Sequence, residues 1–474
     1  MTIRRMGRFM TGLVLLSLLA GQGCTKGLDS ATQAASKRTD LTIWSVVDDV
    51  DVYQDIISDY RALHPYVTVN YRRFRLEEYE DALVNALAED RGPDIFLVHD
   101  TWISKYLSKI EPMPLQTTTA FQRVVGTLKK ETTYVLESEP SISVRSYKTN
   151  YPDAVIKDTV RTVNVSTDPE KRQLEQRIVA VPMSVDTLAM YVNKDLLNAA
   201  GIATVPKDWA TFQQVIPRLV KQDTQGNLLQ SGAALGTAYN VERMSDILSA
   251  LMMQNGAEMS AEDGSPTFAL IPPALKDVRE EPPAYQALSF YTDFANPSKE
   301  VYTWNAAQPD SYQAFIQGKT AFFFGYSYHL PYIRAQAPKL NLGIAALPQI
   351  EGNPVMNMAN YWTWTVSKKT KNRDLAWNFL NFMIKPAEAT KYLTEAKRPA
   401  AEKSLLTAQL ENEDVGVFAA QVLTAKSWYL GNDPGAMEDA FKMMVDNVLN
   451  GVEEIPTAIK NAQQKISQTV KYSY

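Results

Sequence analysis

The chain has 474 residues, 45% hydrophobic and 21% charged, the balance of an ordinary globular protein. That length exceeds what one core usually supports, so two lobes or domains are expected. The net charge is −5, the basic residues are scattered, and there are only 3 His and 1 Cys. These features argue against nucleic acid, metal chemistry and a disulfide framework, whereas 8 Trp, 23 Tyr and 16 Phe favour binding by stacking.

The N-terminus begins "MTIRRMGRFM", in which Arg4, Arg5 and Arg8 form a positive stretch. The apolar run from Thr11 to Ala20 is shorter than the ~20 residues a membrane-spanning helix needs. Small residues, Gly21 and Gly23, then precede Cys24. The arrangement resembles a bacterial lipoprotein signal over 1–23, cut so that the Cys24 sulfur carries a diacylglycerol. Gly21 departs from the leucine usual in such signals, and an ordinary signal peptide with an incidental cysteine is the alternative. Residues 25–40 are polar, small and aperiodic, so 24–39 is expected to be a flexible tether.

From Asp40 the pattern is strand, loop, helix, strand. "LTIWSV" suits a buried strand, and Val52, Ile56, Ile57, Tyr60 and Leu63 mark one face of a helix. "VTVNYRRF" is a second strand, "LEEYEDALVNALAEDRG" a helix, and "PDIFLV" a buried strand ending in "HDTW". This βαβαβ order implies an α/β fold with parallel-rich sheets flanked by helices. Ligands of such sheets sit beyond the carboxyl ends of the strands, which places 44–49 and 99–102 at a ligand-facing edge. Residues 115–178 form an embellishment with helical candidates near 119–136 and 150–160. Further on, "WATFQQVIPRLVK", 242–254, 283–294, "NRDLAWNFLNFMI" and 435–470 are expected helices. "GKTAFFFGYSYH", "LNLGIAALPQ" and "YWTWTVSKK" are expected to contain strands.

Seven stretches in order carry a resemblance: "LTIWSV", "GPDIFLVHD", "VPMSVDTLAMYVNKDLL", "GKTAFFFGYS", "LPQIEGNP", "WTVSKKTKNRDLAWNFLNFM" and "WYLGNDPGAMEDAFKMMVDNVLNG". The chain resembles the extracellular solute-binding proteins of ATP-driven importers, the family containing maltose-binding protein. The resemblance covers 40–474 except 115–178. It implies a two-lobed periplasmic-binding-protein fold, with 40–183 plus 364–412 in lobe one and 187–361 plus 413–474 in lobe two. The expected hinge strands lie near Met183–Asp186, Tyr361–Thr363 and Glu411–Asp414.

A sugar offers apolar CH faces and a rim of hydroxyls, so its site wants aromatic rings and directional polar groups from both lobes. By family position, Trp44, Asp48 and Asp49 follow the first strand; loop solvation or helix capping is the alternative for the acids. Asp100 and Thr101 match contact positions, with His99 and Trp102 beside them. Asp186 stands at a hinge, facing the cleft or making a structural hydrogen bond. Tyr239, Asn240 and Arg243 match a lobe-two contact loop, and Tyr328 a stacking position. Trp362 and Trp364, two apart on a strand, are expected on one side, with Trp362 in the cleft. Trp428 and Tyr429 match an aromatic pair that stacks sugar in the family and are the strongest expectation.

"GYSYH" (325–329) fails the G-x-S-x-G pattern of a nucleophile elbow at its last position, and no H-E-x-x-H or phosphate loop occurs. A non-enzymatic binder without cofactor is expected. By resemblance it would be a monomer that delivers a mono- or oligosaccharide to a permease. A ligand-sensing lipoprotein, or a binder of polyols, glycerol phosphates or peptides, is the alternative.

Overall fold

The structure is a computed structural model that describes residues 28–126, 130–166, 168 and 171–470. The expected signal and Cys24 lie outside the described residues.

Two five-stranded sheets organise the chain. The first has the order β2 (Val67–Arg73), β1 (Thr39–Ser45), β3 (Ile95–His99), β16 (Trp362–Ser367) and β4 (Ile110–Glu111). β1 buries Leu41, Ile43 and Ser45 on alternate positions, while β3 buries four residues in succession because helices cover both of its faces. The helices Gln54–Leu63 and Leu76–Ala88 make the two crossovers, as the hydrophobic spacing requires.

The second sheet has the order β11 (Lys221–Gln222), β12 (Leu228–Ala233), β13 (Thr320–Gly325), β10 (Ala189–Asn193) and β14 (Leu342–Ala346). Both sheets are mixed. In the first, β16 runs antiparallel to β3, with Trp362 opposite His99 and Trp364 opposite Leu97. In the second, only β12 and β13 pair parallel. β10 and β16 enter from the neighbouring lobe rather than through a helical crossover, so nothing forces them parallel. A three-stranded sheet of β17 (Ala425–Lys426), β15 (Asn357–Asn360) and β9 (Asp186–Thr187) joins the segments between the lobes.

One large core draws on residues 41–185 and 359–425, a second on 188–358 and 428–466. The chain therefore passes between the cores three times. The last passage falls later than the expected 411–414, because the helix Gly416–Gln421 packs both ways. Phe418 joins Tyr191 and Phe323, while Ala419 and Val422 join the first core.

Two other expectations are corrected. In place of the expected helix near 119–136, the described residues form a hairpin of β5 (Gln116–Val125) and β6 (Glu131–Pro140). "QTTTAFQRVV" and "ETTYVLESEP" are rich in β-branched residues, which favour a pleated surface. His64 holds the hairpin to the first lobe through Nδ1, 2.9 Å from the Ala120 carbonyl. The tether is also shorter than expected: Ser30–Ala35 is a helix, capped by Asp29, which accepts from the Ala31 and Thr32 amides at 3.0 and 2.9 Å. Ala35 packs on the first core. The expected helix near 150–160 is present as Asp153–Thr159, followed by a hairpin of β7 (Val160–Asn164) and β8 (Leu174–Ile178).

Candidate functional site

A cleft of about 1980 Å³ lies between the lobes. Lobe one contributes the loops after β1 and β3, where the carboxyl-end rule places a ligand. Lobe two contributes Ala238, Tyr239, residues 241–246 and the turn after β13, and residues of the segment 428–438 close that wall.

The aromatic surface of the cleft is built around Trp362. Its ring stands edge-on to His99 and Trp102, with centroids 5.2 and 5.4 Å away. The side chain is half-buried and lines the cleft. Tyr328 lines the lobe-two side of the cleft, stacked on Tyr326 at 5.8 Å. Tyr239 and Tyr332, 68% and 54% exposed, carry aromatic surface to the rim.

Asp100 is the most unusual polar group. It is 4% exposed, lines the cleft, and its Oδ1 accepts no hydrogen bond. Its amide donates to the Tyr361 carbonyl at 3.0 Å, which fixes the turn. Burial, then repulsion from Asp246 across the cleft, pushes its carboxyl up to about 8. Burial, then Arg243, holds the His99 imidazole down at about 4. The 3.0 Å approach of His99 Nδ1 to Asp100 Oδ1 is therefore no ion pair at neutral pH. The same nitrogen lies 2.9 Å from the Thr101 hydroxyl.

The raised Asp100 value has a consequence for stability. The folded chain holds this proton to about pH 8, whereas the unfolded chain releases it near pH ~3.9. Folding thus takes up a proton between those values, and stability falls as pH rises through that window. Asp100→Asn removes the effect. Melting curves from about pH 5 to about pH 9 should show the wild-type chain losing ground to the variant. Parallel curves would refute this assignment.

Arg243 begins the second wall in a left-handed backbone conformation, φ 57°, just before the helix Met244–Gln254. Its guanidinium reaches Asp246 at 2.7 and 2.8 Å and Glu438 at 3.7 Å. Asp246 also accepts the Tyr326 hydroxyl at 2.6 Å, so the cation is held in place. On the first wall, Asp48 accepts from Arg398 at 3.0 Å and from the Tyr392 hydroxyl at 2.9 Å. Asp49 is exposed and accepts from Arg73 at 2.6 Å.

Ten expected residues line the cleft: Asp48, Asp49, Asp100, Thr101, Tyr239, Arg243, Tyr328, Trp362, Trp428 and Tyr429. Three do not. Trp44 does not reach the cleft surface but packs behind it, on the lining residue Phe74 at 4.6 Å, with Arg72 over its ring. Asp186 spends its carboxylate on Ser327, accepting from the amide at 2.9 and 3.1 Å and from the hydroxyl at 2.6 Å, so its structural alternative holds. Asn240 donates to the Asn305 and Gln308 carbonyls, both at 2.9 Å, and accepts from Trp304 at 3.2 Å.

Trp428 and Tyr429 border the cleft but are only 3% and 4% exposed. Phe268 and Phe441 crowd the Trp428 ring, and its indole donates to Ser249 at 3.0 Å. They offer an edge, not a stacking face. The pairing of Trp362 with Trp364 also fails. Trp364 is 3% exposed among Tyr53 and Tyr71, while Trp362 sits where the chain leaves the passage between lobes.

The elbow-like "GYSYH" is used structurally. Ser327 donates to Asp186, and His329 Nδ1 accepts the Tyr326 amide at 2.9 Å while Nε2 faces Glu242 at 2.9 Å. Trp102, weighed beside Asp100 and Thr101, lines the cleft, and the residues missed by position are Arg398, Asp246, Glu242 and Glu438. Only Asp246 left a signal, three residues beyond Arg243 on one helix face. Among the described residues no His, Cys, Asp and Glu side chains group to hold a metal ion, and no helix is long and apolar enough to cross a membrane.

A family model described as bacterial extracellular solute-binding protein matches residues 44–390. A binding protein of Brucella abortus (strain 2308) is 22% identical over 308 residues, 63% of this chain and 69% of that one. The multiple sugar-binding protein of Streptococcus mutans serotype c is 25% identical over 236 residues, 49% of this chain and 53% of its own. The solved structure of the cyclic alpha-maltosyl-1,6-maltose binding protein from Arthrobacter globiformis shares the fold with a TM-score of 0.67 at 17% identity, covering 92% of this chain and 100% of that one. The matched residues run from the end of β1 through β2 and β3, the second-lobe strands β10 to β14 and the returning strand β16, so this chain belongs to the bacterial extracellular solute-binding proteins.

Proposed function

We propose that the chain captures a carbohydrate in the cleft and delivers it to the membrane permease of an ATP-driven importer. The observation that carries this reading is Trp362. A half-buried aromatic face stands beside the unsatisfied Asp100 acceptor, with Thr101 next to it and Arg243 opposite. That combination suits a ring with one apolar face and a hydroxyl rim. Acidic side chains outnumber basic ones along the cleft, which disfavours phosphorylated cargo. The names of the Streptococcus mutans and Arthrobacter globiformis proteins, both sugar binders, point the same way. Binding to both walls favours closure, and the closed monomer is the form the permease receives. No bond is made or broken in the cleft. Cys24 carries the lipid that keeps the protein on the outer face of the membrane.

The test is a thermal-shift screen against mono- and oligosaccharides, polyols, sugar phosphates and peptides. Ligand binding to the native state raises the melting temperature by mass action. A shift confined to one sugar class is the expected result. A shift from peptides or sugar phosphates alone would overturn the carbohydrate assignment. Undiminished uptake of the identified sugar by cells lacking the chain would overturn the importer role. A Cys24→Ser chain that still sediments with membranes would overturn the anchor.

A further inference from the structure

The helix Asp153–Thr159 belongs to the 115–178 embellishment of lobe one, yet its hydrogen bonds reach the other side of the hinge. Asp158 is 1% exposed. A single oxygen, Oδ2, accepts the Tyr361 hydroxyl and the Ser427 hydroxyl, each at 2.6 Å. Tyr361 stands just past the second passage between lobes, and Ser427 stands in the third. One carboxylate oxygen thus bolts two passages together. The other oxygen, Oδ1, has no partner.

Two further contacts extend the bridge. Lys157 donates to the Ser260 hydroxyl at 3.1 Å, and Ser260 donates to the Trp428 carbonyl at 2.9 Å. Lys426 lies 3.4 Å from the Asp153 carboxylate. The bridge is on the rear of the hinge. Asn360 and Trp362 line the cleft while Tyr361 between them does not, so the Tyr361 side chain points away from it. None of Asp153, Lys157, Asp158, Ser260 and Lys426 lines the cleft.

We propose that the helix Asp153–Thr159 is a rear strut that sets the resting angle between the lobes, with Asp158 as its anchor. Hinge closure needs the passages to turn relative to each other. A helix fixed to two passages and to lobe two resists that turn. Burial, then the nearby Asp100, pushes the Asp158 carboxyl up to about 7. Such a group is kept at a cost, and two short hydroxyl bonds to the hinge are what it gains. Tyr361 also accepts the Asp100 amide through its carbonyl, so the strut reaches the cleft through one residue. The proposal does not depend on the ligand being a sugar.

The test measures the distance between lobes by pulsed electron resonance, with spin labels on Glu89→Cys and Glu300→Cys in a Cys24→Ser chain. Both label sites are exposed, one in each lobe. With Asp158→Ala the distance distribution should shift and broaden. With Lys157→Ala combined with Ser427→Ala it should move in the same direction by a smaller amount. The paired variant leaves the buried carboxyl in place and decides the matter alone if Asp158→Ala does not fold. A role confined to stability would lower the melting temperature and leave the distances unmoved. Distributions superimposable on the parent chain would overturn the strut.

Discussion

Trp362→Ala is expected to weaken binding of the identified sugar about 30-fold, with the melting temperature of the free chain little changed. The ring is half-buried, lines the cleft and stands edge-on to His99 and Trp102. Covering roughly half of a tryptophan's surface at ~25 cal/mol per Å² is worth about 2 kcal/mol, which converts to about 30-fold in Kd. Trp428→Ala should behave in the opposite way. Its ring is 3% exposed in the second core, so its loss costs about 3–5 kcal/mol of stability through a cavity. Trp44→Ala, whose ring lies behind the cleft-lining Phe74, should change affinity far less than Trp362→Ala. Titration calorimetry on the three variants separates these roles. Wild-type affinity in Trp362→Ala would remove the residue from the site.

The second large effect concerns Arg398→Ala. Arg398 and Asp48 have side chains 13% and 10% exposed, so the pair is shielded from solvent. The Tyr392 hydroxyl adds a bond to Asp48, and Tyr71 donates to its carbonyl at 2.6 Å. Removing the cation leaves a carboxylate with little water to replace it. Losses of about 3–5 kcal/mol follow when one member of a buried pair is deleted. The double variant Asp48→Asn with Arg398→Met removes both charges and should recover most of the loss. Urea unfolding followed by tryptophan fluorescence checks this, since Trp364 reports on the same core. A change within about 0.5 kcal/mol would place the pair with ordinary surface contacts.

The regular part of the fold was legible because its signals are local. The hydrophobic spacing of Ile56, Ile57 and Tyr60 and the solid apolar run of β3 each specify one element without outside help. The end of β3 likewise announced Asp100 and Thr101. What the sequence could not convey was which side chains had other commitments. Asp186 and Asp100 both follow apolar runs of sequence, and Ser327, 141 residues from Asp186, takes that carboxylate out of the cleft. Trp428 has the aromatic character of a stacking residue, but Phe268 and Phe441 cover it. Arg398 finds Asp48 across 350 residues and leaves no local trace. The β5–β6 hairpin was different: its β-branched residues stand in plain view in the sequence.

The order of strands in the first sheet governs when that lobe can assemble. β16 sits between β3 and β4, and among the described residues β4 pairs with no other strand. β3 and β16 are joined across some 270 residues, Phe96 lying opposite Thr365. An emerging chain therefore cannot finish its first lobe until the second has almost wholly been made. Loop closure over that distance is slow, and the waiting strands are exposed meanwhile. The same delay leaves the early segment unfolded for longer, the state in which a polypeptide can be threaded through a narrow channel.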